Sequence, residues 1–598
     1  MQTRHDINGL RAVAVLPVLF FHSGLPGFEG GFLGVDVFFV ISGFLITSLI
    51  YKATSTGQFS FIHFYDRRAR RILPAFFFVV LITSIASIFF MVPYDLKNFG
   101  QSLVASTFSA NNVLLYLTSG YWGTSAEFKP LYHTWSLAVE EQYYFVMPIL
   151  LLFIAWLTKS RNNTLFVLAL ISMLSILAVL LIEDREYNFL MPFTRAWELL
   201  AGGLLAIHSI NKPAQQNQIL AAFGLSLILV SYLFPYTLSY NQILVNLPAV
   251  IGTLLVIAYA NGKMTKTGEL LSLKPIVGIG LTSYSIYLWH QPLLAYLRLS
   301  SVEEPNTSIA VLVSLLSIPL AYFTWKFIEN PCRDNHKIKN FKFYIGVSTT
   351  ASLIVALGLL MHFSYGFQNR FPEYSYQGNP QKYVDEPRSF ISDEFSTDID
   401  TKLLVIGNSF ARDFINMLRE NDALQNINLV YFEGNCDIGD QRKLDHLLTN
   451  SDYVVYSWNW GSSPVAIERQ VFDANNCFKS LADKSEAEIF MLGGKNFGWN
   501  NNFVKQMDPL KAIEFKVKPL DSVVNFNQLA VNSIPNYIDL MGILSDNGKV
   551  KIFTPSGFFI TYDTNHLTKA GAVFLGKKLL ESSPLSVLVS IPNPKNEN

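Results

Sequence analysis

Apolar segments about twenty residues long recur from Leu10 to Phe363, and no other feature limits the chain so strongly, because ~20 apolar residues is what an α-helix needs to cross the ~30 Å hydrocarbon core of a bilayer. Spanning candidates begin near Leu10, Phe32, Ile72, His133, Leu165, Met191, Ile219, Leu244, Pro275, Ser308 and Phe343. Beyond Phe363 the sequence reads as ordinary soluble α/β. Half of the 598 residues are hydrophobic and 15% are charged, with a mean hydropathy of +0.29, a balance rare among soluble globular chains. This predicts a polytopic α-helical membrane domain over 1–335, a further transmembrane helix and polar linker over 336–400, and an α/β domain over 401–598. A formal net charge of zero gives no bulk attraction to nucleic acid. A signal peptide or anchor would also explain the first segment, but no small-x-small cleavage site follows His22 and further spans do, which argues against cleavage.

Basic loops set the orientation. The run Phe99 to Leu117 carries Gln101, Ser102, Ser106, Asn111 and Asn112, too polar for a span. Leaving it out, with the N-terminus in the cytoplasm, puts DRRARR (Asp66 to Arg71), the loops at Thr158 and Asn261, and CRDNHKIKNFK (from Cys332) inside, and the acidic loops at Glu183 and Val302 outside. Counting it would invert every later loop against the positive-inside tendency. About eleven spans follow, with the polar run re-entrant or interfacial, and the α/β domain lies across the membrane from the N-terminus. That compartment is oxidising in a bacterial envelope, so Cys436 and Cys477 are expected to form a disulfide. Three cysteines in all suggest no metal site.

Within the spans, ionisable residues stand out, since such groups are expensive in hydrocarbon and usually functional. Arg11 and His22 are three helical turns apart, on one face, separated by roughly 16 Å. His22 falls ~18 Å from the cytoplasmic face, where Asp36, Glu140 and Glu141, entering ~6 to 13 Å from the other side, are expected to meet it. Arg195 and Glu198 share that level and His290 approaches it. These residues define either a polar chamber or charge pairs that hold helices together. His133 and Glu140, seven apart, share a face; that spacing is too long for two ligands of one metal, and a structural hydrogen bond is the plainer reading. Arg67, Arg68, Arg70 and Arg71 either set topology or clamp a polyphosphate.

In the α/β region, LLVIG is a buried-strand run leading through Asn408 to Ser409 and a helical FARDFINMLRE. Ser409 is either a helix cap or a nucleophile exposed at a sheet edge. Asp563 precedes His566 by three residues, a spacing that lets the carboxylate bond one imidazole nitrogen while the other faces a hydroxyl. The polar stretch 364–400 reads as a linker or an extension packed on the membrane domain.

The blocks RHDINGLRAVAVLPVLFFH, FLGVDVFFVISGFLI, FYDRRARRILPA, HTWSLAVEEQYYF and LTSYSIYLWHQPLL resemble, in order, those of the acyltransferase 3 family. The resemblance implies Arg11 and His22 as essential residues, Glu140 and Glu141 as further catalytic candidates, and acetyl-CoA as a cytoplasmic donor substrate with no tightly bound cofactor. Arg11, Arg67, Arg68 and Arg71 are expected to hold the donor, and Asp36, His133, Arg195 and His290 to line the chamber. His22 would act as base or acyl acceptor. The C-terminal region is similar to SGNH hydrolases, three-layer α/β/α folds, which implies Ser409 as nucleophile, His566 as base and Asp563 as its partner. Here Asn408 stands where that family usually has Asp. For the oxyanion donors, Gly434 and Asn459 come first, then Gly493 and Asn496. The pairing of the two families resembles O-antigen (lipopolysaccharide) O-acetyltransferases of the bacterial inner membrane and, more distantly, peptidoglycan O-acetyltransferases. The expected partners are membrane lipids and a lipid-linked or lipopolysaccharide glycan. A transporter with an attached esterase is the alternative.

Overall fold

The computed structural model describes residues 4–118, 126–210, 215–234, 241–334, 337–371, 380–396, 399–436, 439–461 and 465–588. Two compact units result, one of residues 1–89, 95–298 and 305–363, the other of residues 90–94, 299–304 and 364–598.

The first unit is helical. Its longer elements are α1 (His5–His22), α2 (Gly34–Ser55), α3 (Phe61–Phe90), α4 (Pro93–Thr107), α5 (Asn111–Thr118), α6 (Thr134–Leu157), α7 (Arg161–Leu181), α8 (Pro192–Ser209), α9 (Gln218–Leu233), α10 (Gln242–Tyr259), α11 (Lys274–Ser300) and α12 (Asn340–Phe363). An interrupted helix over Thr307–Arg333 lies between the last two. Among the described residues, eight helices are long and apolar enough to cross a membrane, and α9 is a shorter apolar one. Two expected spans, α1 and α11, fall short of that apolarity for a physical reason. Their polar residues face inward, where Asp6, Ser283, Ser285, His290 and Gln291 are buried, while large apolar side chains such as Phe145, Phe153, Trp156, Phe166 and Leu181 lie outside. The polar run at Phe99 to Leu117 folds as α4 and α5, broken at Ser109, whose φ is +52°; both pieces are too short to span.

Small residues and one arginine lock this unit. A Cβ on Gly43 of α2 would sit 1.8 Å from the Leu199 carbonyl oxygen of α8, so only glycine permits that approach. Arg70 is buried on α3 and donates to Asp66 Oδ1 (3.2 Å), to the carbonyls of Cys332 and Ile338 (3.0 Å each) and to Asn340 Oδ1 (2.7 Å). It thereby ties α3 to the start of α12.

The second unit is built on a parallel sheet of order β2-β1-β3-β4-β6, with β1 Lys402–Gly407, β2 Asn428–Glu433, β3 Tyr453–Ser457, β4 Glu488–Leu492 and β6 Tyr537–Ile538. A two-stranded antiparallel pair, β5 (Lys516–Val517) and β7 (Val550–Lys551), completes its strands. Alternate residues of β1 feed separate cores: Leu403 and Val405 pack with α13 (Ser409–Glu420) and α17 (Lys569–Ser582). Leu404 and Ile406 pack with α14 (Gln441–Thr449), α15 (Ile467–Ala482) and α16 (Asp521–Val531). Helices on both faces of a parallel sheet explain why its strands read as continuous apolar runs. The strand order reverses beside β1, and crevices at that point are where such sheets bind ligands.

The extension before β1 belongs to this unit. Its described part packs on α13 of this unit, through Arg412–Asp385 (2.9 Å), Arg419–Glu386 (2.7 Å) and Asn416 Nδ2 donating to the Tyr383 carbonyl (3.2 Å); residues 372–379 and 397–398 lie outside the described residues. Cys436 and Cys477 form a disulfide, Cα atoms 5.5 Å apart, 41 residues apart in sequence. Replacing both with serine is expected to lower the stability of this unit by about 4 kcal/mol from loop entropy, read as an earlier midpoint of urea-induced proteolysis of the α/β unit.

Candidate functional site

In the helical unit, the four arginines of α3 have three fates. Arg68 and Arg71, on one helix face, line a partly open cavity of about 90 Å³ with Arg11, Glu140, Glu141, Tyr144, Tyr284 and Tyr287. Arg70 is the structural tie described above, and Arg67 is exposed and is not among the cavity's lining residues. Glu140 is held by the hydroxyls of Ser42 (2.9 Å to Oε1) and Tyr144 (3.2 Å to Oε2). Three guanidinium groups facing two carboxylates can receive an anionic group with bidentate geometry.

His22 is not among the cavity's lining residues, nor does it meet Asp36, Glu140 or Glu141. Its ring lies 5.2 Å from that of His290, which lies 5.3 Å from that of His133. Arg298 donates to the His22 carbonyl. A carbonyl can only accept, so the 2.9 Å contact of His22 Nδ1 with the Val18 oxygen and the 2.6 Å contact of His290 Nδ1 with the Tyr287 oxygen place the proton on each Nδ1. In the neutral imidazole each Nε2 then carries the lone pair. Tyr287 joins the two regions, lining the cavity while its ring packs on His133 (5.3 Å) and His290 (5.1 Å). Its hydroxyl bonds Ser136 Oγ (2.7 Å) and donates to the His133 carbonyl (3.1 Å). Among the described residues, no group of three or more His, Cys, Asp or Glu side chains is arranged to hold a metal.

Asp36 and Arg195 leave the chamber. Arg195 pairs with Asp36 (3.0 Å) and Glu198 (3.2 Å), and Asn246 Nδ2 donates to Glu198 Oε1 (3.0 Å). This cluster is fully buried, joins α2, α8 and α10, and does not line the cavity. It is helix glue, the other reading of those charges.

In the α/β unit the question of Ser409 resolves through its neighbour. Asn408 is the cap, its Oδ1 accepting from the Phe410 N–H at 3.0 Å, so the Ser409 hydroxyl is not used as one. Gly407 makes the strand-to-helix turn possible: its φ is +147°, and a Cβ there would sit 1.9 Å from the Ser457 carbonyl oxygen. Ser409 Oγ lies 2.8 Å from His566 Nε2, and His566 Nδ1 lies 2.6 Å from Asp563 Oδ2. Asp563 Oδ1 also accepts from the amides of Asn565 (3.0 Å) and His566 (2.8 Å). Burial pushes the Asp563 carboxyl up, but His566 and these amides outweigh it and hold the group below the usual carboxylate range. This is the hydrogen-bond order of a nucleophile, a base and its orienting acid.

The oxyanion candidates divide. The Gly434 amide donates to the Gly407 carbonyl (3.3 Å), which removes it as a donor. Asn459 accepts from Asn408 Nδ2 through Oδ1 at 3.2 Å, a bond that commits its oxygen and not its amide N–H groups. The runner-up pair is structural: the Gly493 amide serves the Ile538 carbonyl (2.9 Å). Asn496 Oδ1 accepts from Gly498 and Leu520, and its Nδ2 donates to Asn565.

The family description "Acyltransferase domain" matches residues 4–326. The chain belongs to that family. It is 32% identical over 355 residues to the peptidoglycan O-acetyltransferase OatA of Listeria monocytogenes, covering 56% of this chain and 57% of that protein. It is 31% identical to the O-acetyltransferase OatA of Staphylococcus aureus strain NCTC 8325 (55% and 57% covered) and 29% identical to the putative peptidoglycan O-acetyltransferase YrhL of Bacillus subtilis (59% and 61%). The match thus spans less than two thirds of each of these relatives. No solved structure matches the chain.

Sequence reasoning missed two residues of the helical unit. Glu329, in a π-helical turn over Trp325–Glu329, accepts from Ser285 (3.2 Å) and pairs with Arg333; π-turns cluster at functional sites, and a glutamate inside an apolar run was the signal. Tyr287 gave no signal beyond belonging to a matched block.

Two outcomes follow. Arg195→Met leaves Asp36 and Glu198 buried without their cation and is expected to cost about 3–5 kcal/mol, seen as a lower melting temperature of the purified protein, whereas Arg67→Met leaves it unchanged. Because the Asp563 pKa is depressed on folding, its contribution is present above the ordinary Asp value of about 4 and is lost as pH falls through the depressed value. The stability gap between wild type and Asp563→Asn is therefore expected to be flat above about pH 4 and to shrink below it, as measured by acid unfolding of the α/β unit.

Proposed function

We propose that this chain is a transmembrane O-acetyltransferase that moves acetyl from cytoplasmic acetyl-CoA through its helical unit to a hydroxyl of an extracytoplasmic envelope glycan. The observation that carries the reading is the Ser409–His566–Asp563 arrangement on a chain whose first half belongs to an acyltransferase family. A lone serine triad suits hydrolysis as well as transfer; joined to that family it suits transfer.

In this reading Arg11, Arg68 and Arg71 take donor phosphates, while the thin pantetheine arm carries the thioester inward toward the His22 Nε2 lone pair. In the α/β unit, which is SGNH-like, Ser409 Oγ attacks the acetyl carbonyl as His566 Nε2 takes its proton; the acetyl's bond to the group that delivered it, the CoA sulfur or His22 Nε2, then breaks, and His566 gives that proton to the departing atom. Asn459 and the N-terminal amides of α13 stabilise the oxyanion. The acceptor hydroxyl then attacks the acyl-serine as His566 takes its proton; the bond from Ser409 Oγ to the acyl carbon breaks, His566 returns that proton to Ser409, and the acetyl ester is released. The positive-inside parity of the loops supports a cytoplasmic N-terminus and a periplasmic α/β unit.

The Listeria relative is named a peptidoglycan O-acetyltransferase and the Bacillus one a putative peptidoglycan O-acetyltransferase, names that favour peptidoglycan as acceptor over the O-antigen expected from the domain pairing. The test is to isolate both peptidoglycan and lipopolysaccharide from cells expressing wild type, His22→Ala or Ser409→Ala, and to assay ester-linked acetate on each. The expected result is acetate on peptidoglycan in wild type and a loss of roughly a thousandfold in transfer rate for either variant. Acetate confined to lipopolysaccharide returns the acceptor to O-antigen. Acetylation that survives both variants refutes the mechanism.

A further inference from the structure

The α/β unit buries an ion pair that no step above uses. Lys495, three residues beyond β4, places Nζ 2.8 Å from Asp413 Oδ2 on α13, and the two side chains are 1% and 0% exposed. Apolar residues of similar volume would generally serve stability as well as a buried pair, so stability alone is a poor reason for it. Its neighbours suggest a better one. Both carboxylate oxygens of Asp413 lie 3.3 Å from the Leu567 N–H, and Leu567 directly follows His566. On its other side, Lys495 Nζ stands 3.6 Å from the centre of the Phe410 ring, and Phe410 directly follows Ser409. That ring in turn meets the His566 imidazole edge-on, centroids 5.9 Å apart. The pair thus touches the residue after the nucleophile and the residue after the base.

We propose that the Lys495–Asp413 pair is a positioning element of the serine site, pinning the backbone that carries His566 to the helix that carries Ser409 and so holding the Nε2 to Oγ hydrogen bond. The inference rests on Ser409 being the nucleophile. A charge-assisted bond suits this task because the ammonium fixes the carboxylate's orientation while leaving acceptor capacity for the Leu567 amide. Burial draws the Lys495 ammonium below the usual amine range, and the Asp413 and Asp563 carboxylates draw it back. The lysine also lies in LGGKN, whose Gly493 and Asn496 were candidates for oxyanion donors. The segment serves the site from behind instead.

The experiment measures the rate at which phenylmethanesulfonyl fluoride modifies Ser409 in the full-length protein, read by peptide mass, with a melting curve on each sample. The double variant Lys495→Met with Asp413→Asn removes both charges, so no unpaired ion is left buried, and Asp413→Asn alone keeps one acceptor for Leu567. Modification is expected to slow at least tenfold in the double variant and several-fold in Asp413→Asn. Lys495→Arg, which retains the cation, is expected to recover part of the rate. If the double variant melts below the assay temperature, Asp413→Asn decides. Folded variants modified at the wild-type rate overturn the positioning role while the serine reading stands. A wild-type protein in which Ser409 is not modified at all overturns the serine reading and this inference with it.

Discussion

A charge removed from water must find a partner, and this single constraint sorts the ionisable residues of the chain into those that hold the fold and those open to a ligand. Arg70 bonds only to acceptors of its own unit, and Asp36, Arg195, Glu198 and Asn246 close on one another. These bonds join helices of the unit, while Arg195 Nε and Glu198 Oε2 stay buried without a hydrogen-bond partner. Arg11, Arg68 and Arg71 differ, since they share a cavity with Glu140 and Glu141, and a space among fixed charges is what an anionic ligand can enter.

Backbone groups set the state of the reactive side chains. Carbonyls of Val18 and Tyr287 fix the tautomers of His22 and His290, and the Asn408 cap leaves Ser409 to His566. In the SGNH hydrolase pattern that this region resembles, Asp stands at that position. An amide there both accepts from the helix and donates to Asn459, which a carboxylate could not do. The departure therefore preserves the turn and adds a contact to Asn459.

The membrane helices were legible because length and apolarity act over whole segments, and the same averaging hid what matters on α1 and α11, whose inward polar faces lower the very signal that marks a span. Helix periodicity put Arg11 and His22 on one face but said nothing of which neighbours would close around each, so Asp36 and Arg195 were read into a chamber they do not line. The arginine block was visible as a block; only packing splits Arg67, Arg68, Arg70 and Arg71. In the α/β unit the strand, the turn and the D-x-x-H spacing carry the serine site, since those are local in sequence. Lys495 and Asp413 are 82 positions apart, and no local pattern joins them.

The central claim is that acetyl leaves a thioester and passes through Ser409 on its way to a glycan. Incubating the purified full-length protein with isotopically labelled acetyl-CoA in the absence of acceptor, followed by peptide mass analysis, tests it most directly. Labelled acetyl on the peptide containing Ser409, discharged on adding glycan fragments, is the result this account predicts. Labelled glycan formed by an enzyme in which Ser409 never carries the label would contradict it.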